Sequence, residues 1–153
     1  MASRRCVYKG IQFDSKAEAG FFIHLLDQEK KGLISDIERQ PSWPLYAAEF
    51  GKNMMGLDAR EWPNMIPYKP IGKYTADFRY LDHEREEYIV VDVKGQVPGT
   101  RTLKNGTKRR TSGGQGWTAF RLRRTILKAN YGIDVLVVPG AEYTQLANKA
   151  GVK

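Results

Sequence analysis

Apolar and polar positions along the chain fall into short, well-punctuated elements. Val7 to Phe13 is a brief apolar stretch that reads as a strand. Ser15 with Glu18 three residues on matches the capping box, so a helix is predicted from Ser15 to about Lys31, closed by Gly32. Leu33 to Tyr46 reads as extended, because Pro41 and Pro44 forbid a helix and favour a sheet edge. Ala47 to Gly72 has no clean period. It holds Met54, Met55, Trp62, Met65 and three prolines, and is either an irregular insertion packed on the domain, the favoured reading, or a partner surface.

Tyr74 to Leu81 and Glu87 to Lys94 are rich in aromatic and β-branched residues, and the polar run Asp82 to Glu86 joins them as an antiparallel hairpin. Gly95 to Gly116 is Gly-, Thr- and Lys/Arg-rich and predicts a mobile basic loop. Trp117 to Tyr131 predicts a helix ended by Gly132, Ile133 to Val138 a buried strand, and Glu142 to Ala150 a short last helix. The expected fold is a single α/β domain over residues 1–153, with the order helix, three strands, helix, strand and a short C-terminal helix.

At 153 residues there is room for one core. The lone Cys6 excludes an internal disulfide and any zinc site built on cysteine pairs, and reads as an inert thiol. His24 and His83 are the only histidines and read as a helix-face and a turn residue, so a zinc site is poorly supported. No apolar run approaches the ~18 residues of a membrane span, and the N-terminus lacks an apolar signal core, so a cytoplasmic protein without a membrane partner is expected.

The formal charge of +8 changes the picture through its distribution. Gly95 to Ile133 contains no acid and nine cations: Arg101, Lys104, Lys108, Arg109, Arg110, Arg121, Arg123, Arg124 and Lys128. Outside that window 16 basic residues face 17 acidic ones, so the whole excess lies in one segment. An internal single-signed run favours a polyphosphate contact over a merely solvated face. Arg121, Arg124 and Lys128 fall within about 60° on their helix and form a cationic stripe, with Ala119, Leu122 and Ile126 as the expected buried side.

Asp92 and Lys94 project from one face of a strand whose other face carries Val91 and Val93. Alone this is a weak motif that a strand-end ion pair would explain. The hairpin adds to it: a turn centred between Glu84 and Arg85 sets Asp77 opposite Asp92 on the same face, where two like charges need a compensating cation. Glu18 lies within about 60° of Phe21, Phe22 and Leu25, hence on the sheet-facing side of its helix, and serves equally well as a capping residue or as a third carboxylate. Such a set suits Mg²⁺ or Mn²⁺, which prefer oxygen ligands.

Glu18, Thr75-Ala76-Asp77-Phe78 and Asp92-Val93-Lys94-Gly95, in this element order, resemble the PD-(D/E)XK nuclease superfamily, and most closely its small phage-encoded endonuclease I and Holliday-junction resolvase members. Phe120 to Asp134 resembles the helix and strand that close that core. Ala76 replaces the proline of the family pattern at a position that is not a metal ligand. The resemblance implies a restriction-endonuclease-like fold with a mixed central sheet. It implies Mg²⁺ held by Asp77, Asp92, the Val93 backbone carbonyl and Glu18, with Lys94 orienting water and stabilising the phosphorane. The implied reaction is hydrolysis of DNA phosphodiesters, with branched DNA as the leading substrate and no organic cofactor. Symmetric cutting calls for two sites and hence a homodimer. Alternatives are a duplex endonuclease and a DNA-binding protein with a decayed site. The basic residues Arg101, Lys104, Lys108, Arg109, Arg110, Arg121, Arg124 and Lys128 then become a DNA grip, with the 95–116 loop folding on the backbone when DNA binds.

Overall fold

A computed structural model describes residues 5–48, 68–95, 100–102, 108–110 and 115–153. The fold is mixed α/β. Its central sheet has four strands in the order β10-β7-β6-β3: β3 (Ile34–Arg39), β6 (Phe78–Asp82), β7 (Glu87–Lys94) and β10 (Val135–Pro139). β7 runs antiparallel to β6 and parallel to β10, and β3 is antiparallel to β6.

The first apolar stretch is a hairpin rather than one strand. β1 (Cys6–Tyr8) pairs with β2 (Ile11–Phe13) through Lys9 and Gly10, both at positive φ, as a two-residue turn with left-handed residues requires. Helix α1 (Lys16–Lys30) follows with Ser15 as its N-cap, whose side chain accepts from the Glu18 N–H, and Gly32 at φ +72° ends it as expected.

Two cores sandwich the sheet. On one face Phe78, Val91 and Val93 meet α1 (Phe21, Phe22, Leu25), the first hairpin (Cys6, Phe13) and helix α3 (Ala141–Lys149). Phe21 packs edge-on to Tyr143 with ring centroids 4.9 Å apart, and the Val7 N–H donates to the Lys153 carbonyl at 2.9 Å, tying the C-terminus to the first hairpin. On the other face Val90 and Val135 meet Leu127 of helix α2 (Gln115–Tyr131), with Leu45, Tyr74 and Ala76. Each large side chain sealed this way is worth about 1.5–3 kcal/mol in transfer free energy.

The extended region 33–46 resolves into β3 and β4 (Ser42–Ala48). β4 pairs with β5 (Tyr68–Thr75), so both ends of the expected 47–72 insertion are strand, while Met54, Met55, Trp62 and Met65 lie outside the described residues. The expected single strand 74–81 is broken: β5 ends at Thr75 and β6 begins at Phe78. Pairing continues in register across the break. Arg39 faces Phe78, Ser42 faces Thr75, and between them the Gln40 N–H donates to the Asp77 carbonyl at 2.9 Å and the Ala76 N–H to the Pro41 carbonyl at 3.0 Å. β3–β4 and β5–β6 therefore form one long bent ribbon, with Asp77 at the bend. Its outer half lies along α2, where Asn130 bridges the backbone of Tyr46 and the Tyr131 hydroxyl donates to the Pro44 carbonyl at 2.7 Å.

Three further expectations need correcting. The 95–116 segment is not all loop: β8 (Thr100–Thr102) pairs with β9 (Lys108–Arg110), and α2 starts at Gln115. β10 is an edge strand with only Val135 buried and Leu136 half-exposed, because a single neighbour covers it. The inward side of α2 is Phe120 and Leu127, with Ile126 at its margin, whereas Ala119 and Leu122 are exposed.

Gly20 marks the closest approach of α1 and α3. A Cβ there would lie 1.8 Å from the Tyr143 carbonyl oxygen, a backbone atom that cannot swing aside. Gly20→Ala should therefore destabilise the protein by about 2–4 kcal/mol in urea denaturation, despite alanine's better helix propensity. An unchanged midpoint would show that the helices separate freely.

Candidate active site

The hairpin register is the one the turn predicted: Phe78 pairs with Val91 and Asp82 with Glu87. Asp77 sits one step beyond the last pair. Its own N–H donates to the Val91 carbonyl at 3.1 Å, and its Oδ2 accepts from the Val93 N–H at 2.7 Å. The bend thus turns the Asp77 side chain back onto the backbone of β7. Asp92 is 2% exposed and is the one charged residue buried among the described residues.

Both Asp92 oxygens are taken. Oδ1 accepts from Lys94 Nζ at 3.2 Å and Oδ2 from the Tyr74 hydroxyl. Burial, then the hydrogen bond to Asp92 and its charge, push the Tyr74 phenol far above its usual range, so it remains a donor. Tyr74 is the site residue that sequence reasoning missed. It reads as ordinary strand aromatic, and only the bend after Thr75 carries its hydroxyl to the acid.

Lys94 is half-buried, with its ammonium between Asp92 and the Phe120 ring, 4.6 Å from the ring centroid. Its position is fixed by the backbone, since the Gly140 N–H donates to the Lys94 carbonyl at 2.8 Å where β7, β10 and the start of α3 meet.

Glu18 sits at the cap in a variant of the capping box, accepting from the Ser15 hydroxyl at 3.0 Å and from the N–H of Asp14, one residue before the cap, at 3.3 Å. It is also part of the acidic group. Burial raises its carboxyl above the normal range while the Lys94 charge pulls the other way, which places the two within electrostatic reach. Asp77 is pushed up to about 7, first by burial, then by the charge of Asp92, then by that of Glu18; the Val93 N–H and Lys94 oppose this. The capping and acidic roles therefore coexist in one residue.

The four predicted residues converge, although no three acidic, histidine or cysteine side chains among the described residues stand close enough together to close on one ion as they are. The chemistry of the set still fits a hard divalent cation: its donors are carboxylate oxygens, its negative charge is buried, and among the described residues Lys94 is the one cation hydrogen-bonded to it.

The basic residues divide. Arg121 is exposed and unpaired among the described residues. Arg124 donates to the Val135 carbonyl at 2.7 Å and lies 5.5 Å from the Phe120 centroid, while Lys128 pairs with Asp134. Arg124 thus ties α2 to β10 and Lys128 is engaged with Asp134 just before that strand, which corrects the expectation of a uniform free stripe. Arg101, Lys108, Arg109 and Arg110 lie on β8 and β9 by their backbones, and Lys104 lies outside the described residues. A cavity of about 330 Å³ opens beside Asp92, lined by Tyr74, Asp92, Lys94, Gly116, Phe120 and Arg123 among others, while Asp77 and Glu18 are not part of its lining. A larger one of about 540 Å³ lies towards the other end of the sheet, around Trp43, Arg79, Tyr88 and Leu136, and shares none of the four acid-site residues.

By sequence, the chain belongs to the family described as "Protein of unknown function (DUF1064)", whose profile matches residues 1–112. The match takes in Glu18, Asp77, Asp92 and Lys94 and stops before α2. Neither a curated protein nor a solved structure gives a match. Among the described residues no helix is long and apolar enough to cross a membrane.

Two outcomes test this geometry without any substrate. Between about pH 4 and pH 7 the folded, metal-free chain keeps a proton on Asp77 that the unfolded chain has lost. The stability from that proton is complete below about pH 4 and is lost as pH rises through 7. In EDTA the melting temperature of Asp77→Asn, relative to wild type, should rise by roughly 3 °C or more from pH 5 to pH 8; a difference independent of pH contradicts the buried acidic cluster. Tyr74→Phe removes one donor from a buried carboxylate and should cost about 1–3 kcal/mol in urea denaturation at pH 8. No loss would mean Asp92 finds water in place of the hydroxyl.

Proposed function

We propose that this protein is a divalent-metal-dependent DNA endonuclease of the PD-(D/E)XK type, acting on branched DNA as a homodimer. One observation carries the reading: Asp77 and Asp92 form an acidic pair at the end of the hairpin, with Lys94 hydrogen-bonded to it and Glu18 within electrostatic reach. The sandwich of a mixed four-stranded sheet between α1 and α2 supports the restriction-endonuclease-like arrangement, with β3, β6, β7 and β10 as its strands.

Asp77, Asp92 and Glu18, with the Val93 carbonyl, would hold Mg²⁺ or Mn²⁺. Such an ion, when bound, supplies a more acidic water and a counter-charge for the scissile phosphate. Lys94 leaves Asp92 for the phosphate, where its ammonium stabilises the extra negative charge of the pentacovalent state and orients the attacking water. A P–O bond forms from that water as the ester P–O bond to the leaving sugar oxygen breaks, and the water's proton ends on solvent or on that oxygen. Phe120 restricts where Lys94 can move. Tyr74 keeps Oδ2 of Asp92 oriented throughout.

The full hydrogen bonding of Asp92 also favours a second reading, a DNA-binding protein with a decayed site, in which the Lys94–Asp92 pair is purely structural. Labelled four-way junction, linear duplex and single strand, each with Mg²⁺ or EDTA, separate the two. Metal-dependent cutting with preference for the junction is expected. Asp92→Asn and Lys94→Ala should each lower the rate by about 10² or more while DNA binding in EDTA persists. No cutting of any substrate with Mg²⁺ or Mn²⁺ overturns the enzyme reading, and equal cutting of junction and duplex overturns the branched-DNA preference.

A further inference from the structure

Arg123 stands apart from the other cations of α2. Gly116, Ala119, Phe120 and Arg123 follow the i, i+3, i+4, i+7 pattern of one helix stripe, and all four line the cavity of about 330 Å³ that also contains Tyr74, Asp92 and Lys94. The cavity is open on the side of Gly116, where an added Cβ would meet nothing within 4 Å. Phe120 forms the wall behind the Lys94 ammonium, and Arg123 closes the rim. Like Arg121, and unlike Arg124 and Lys128, Arg123 holds no ion-pair or hydrogen-bond partner among the described residues, and of the two unpaired arginines it is Arg123 that lines this cavity.

The charges of this cavity do not cancel. Asp92 on the wall is matched by Lys94, which leaves Arg123 uncompensated, and the first turn of α2 contains no acidic residue. The volume is at the low end for ligand sites, which run from about 300 to 1,000 Å³. That suits one diester group with part of its sugar better than a complete nucleotide.

We propose that this cavity seats the phosphodiester to be cut and that Arg123 is its binding residue, with the guanidinium on the non-bridging oxygens opposite Lys94. The proposal rests on the nuclease reading of the same site and adds a contact it did not contain. Guanidinium meets phosphate through two parallel N–H···O bonds, so it fixes orientation as well as charge, which lysine does less well.

The test uses fluorescence anisotropy in EDTA with full-length protein and two DNA substrates, one natural and one carrying a single neutral methylphosphonate at the mapped cut. Wild type should lose roughly fivefold to tenfold in affinity on the methylphosphonate. Arg123→Ala should lose about as much on natural DNA, lower the log–log salt slope by about 1, and show no further loss on the methylphosphonate. Arg123→Lys should fall between. Circular dichroism and melting temperature of the variants should match wild type, since Arg123 is exposed. Unchanged binding by Arg123→Ala, or a methylphosphonate loss as large in that variant as in wild type, overturns the phosphate seat alone. Absence of any cut to map, with Mg²⁺ or Mn²⁺, overturns the nuclease reading beneath it.

Discussion

Two aspartates held together by backbone pairing set the terms for this molecule. β6 is paired on both sides, and one residue before it begins, Asp77 leaves the ladder with β7 while keeping its pairing with Gln40. Neither side chain chose this arrangement, because like charges close together in a buried setting repel. It is imposed by two antiparallel registers that share one strand. The surroundings then read as responses to it. The Val93 N–H satisfies Asp77, Tyr74 and Lys94 satisfy Asp92, and burial, then the charge of Asp92, pushes the Asp77 carboxyl up to about 7.

The packing keeps that arrangement stiff. α1 is fastened on one face by Phe21, Phe22 and Leu25, and its N-terminus brings Glu18 near the bend. On the other face α2 is fastened by Leu127, by Arg124 to the Val135 carbonyl and by Asn130 to Tyr46. Because the start of α2 lies beside the end of β7, its second and third turns bring Phe120 and Arg123 to the cavity at Asp92. The four cations of α2, which seem equivalent along the sequence, therefore divide: Arg124 bonds to the backbone of β10, Lys128 pairs with Asp134, Arg121 is unpaired among the described residues, and Arg123 lines the site cavity. A site assembled from a bend, a strand end and two helix starts depends on both cores at once.

Much of this was legible in the sequence for physical reasons. The capping box at Ser15 and Glu18 and the glycine stops after both long helices are local chemistry, and they agree with the structure. The hairpin register followed from a polar turn of definite length, and it put Asp77 and Asp92 together. What escaped was non-local. The break after Thr75 leaves no mark in a run of good strand formers, so Tyr74 reads only as a strand aromatic, with nothing to show that it is also a partner of Asp92. Lys9-Gly10 is a weaker turn signal than Asn-Gly, which hid the first hairpin. The inward side of α2 was misjudged because Leu122 is apolar yet exposed, and only the position of β4 decides which side is covered. Arg123 falls about 100° or more from the stripe of Arg121, Arg124 and Lys128, and helical angles alone do not show what stands opposite it.

The central claim is that the Asp77–Asp92 pair is a cation site and that the Lys94–Asp92 contact opens to serve it. Its most direct test is a crystal of the DNA-free protein soaked in Mn²⁺, with anomalous scattering recorded. The account predicts an anomalous peak shared by the carboxylates of Asp77 and Asp92, lost in Asp77→Asn, with the Lys94 ammonium moved away from Asp92. No peak at the pair at millimolar Mn²⁺, with Lys94 still on Asp92, would contradict it.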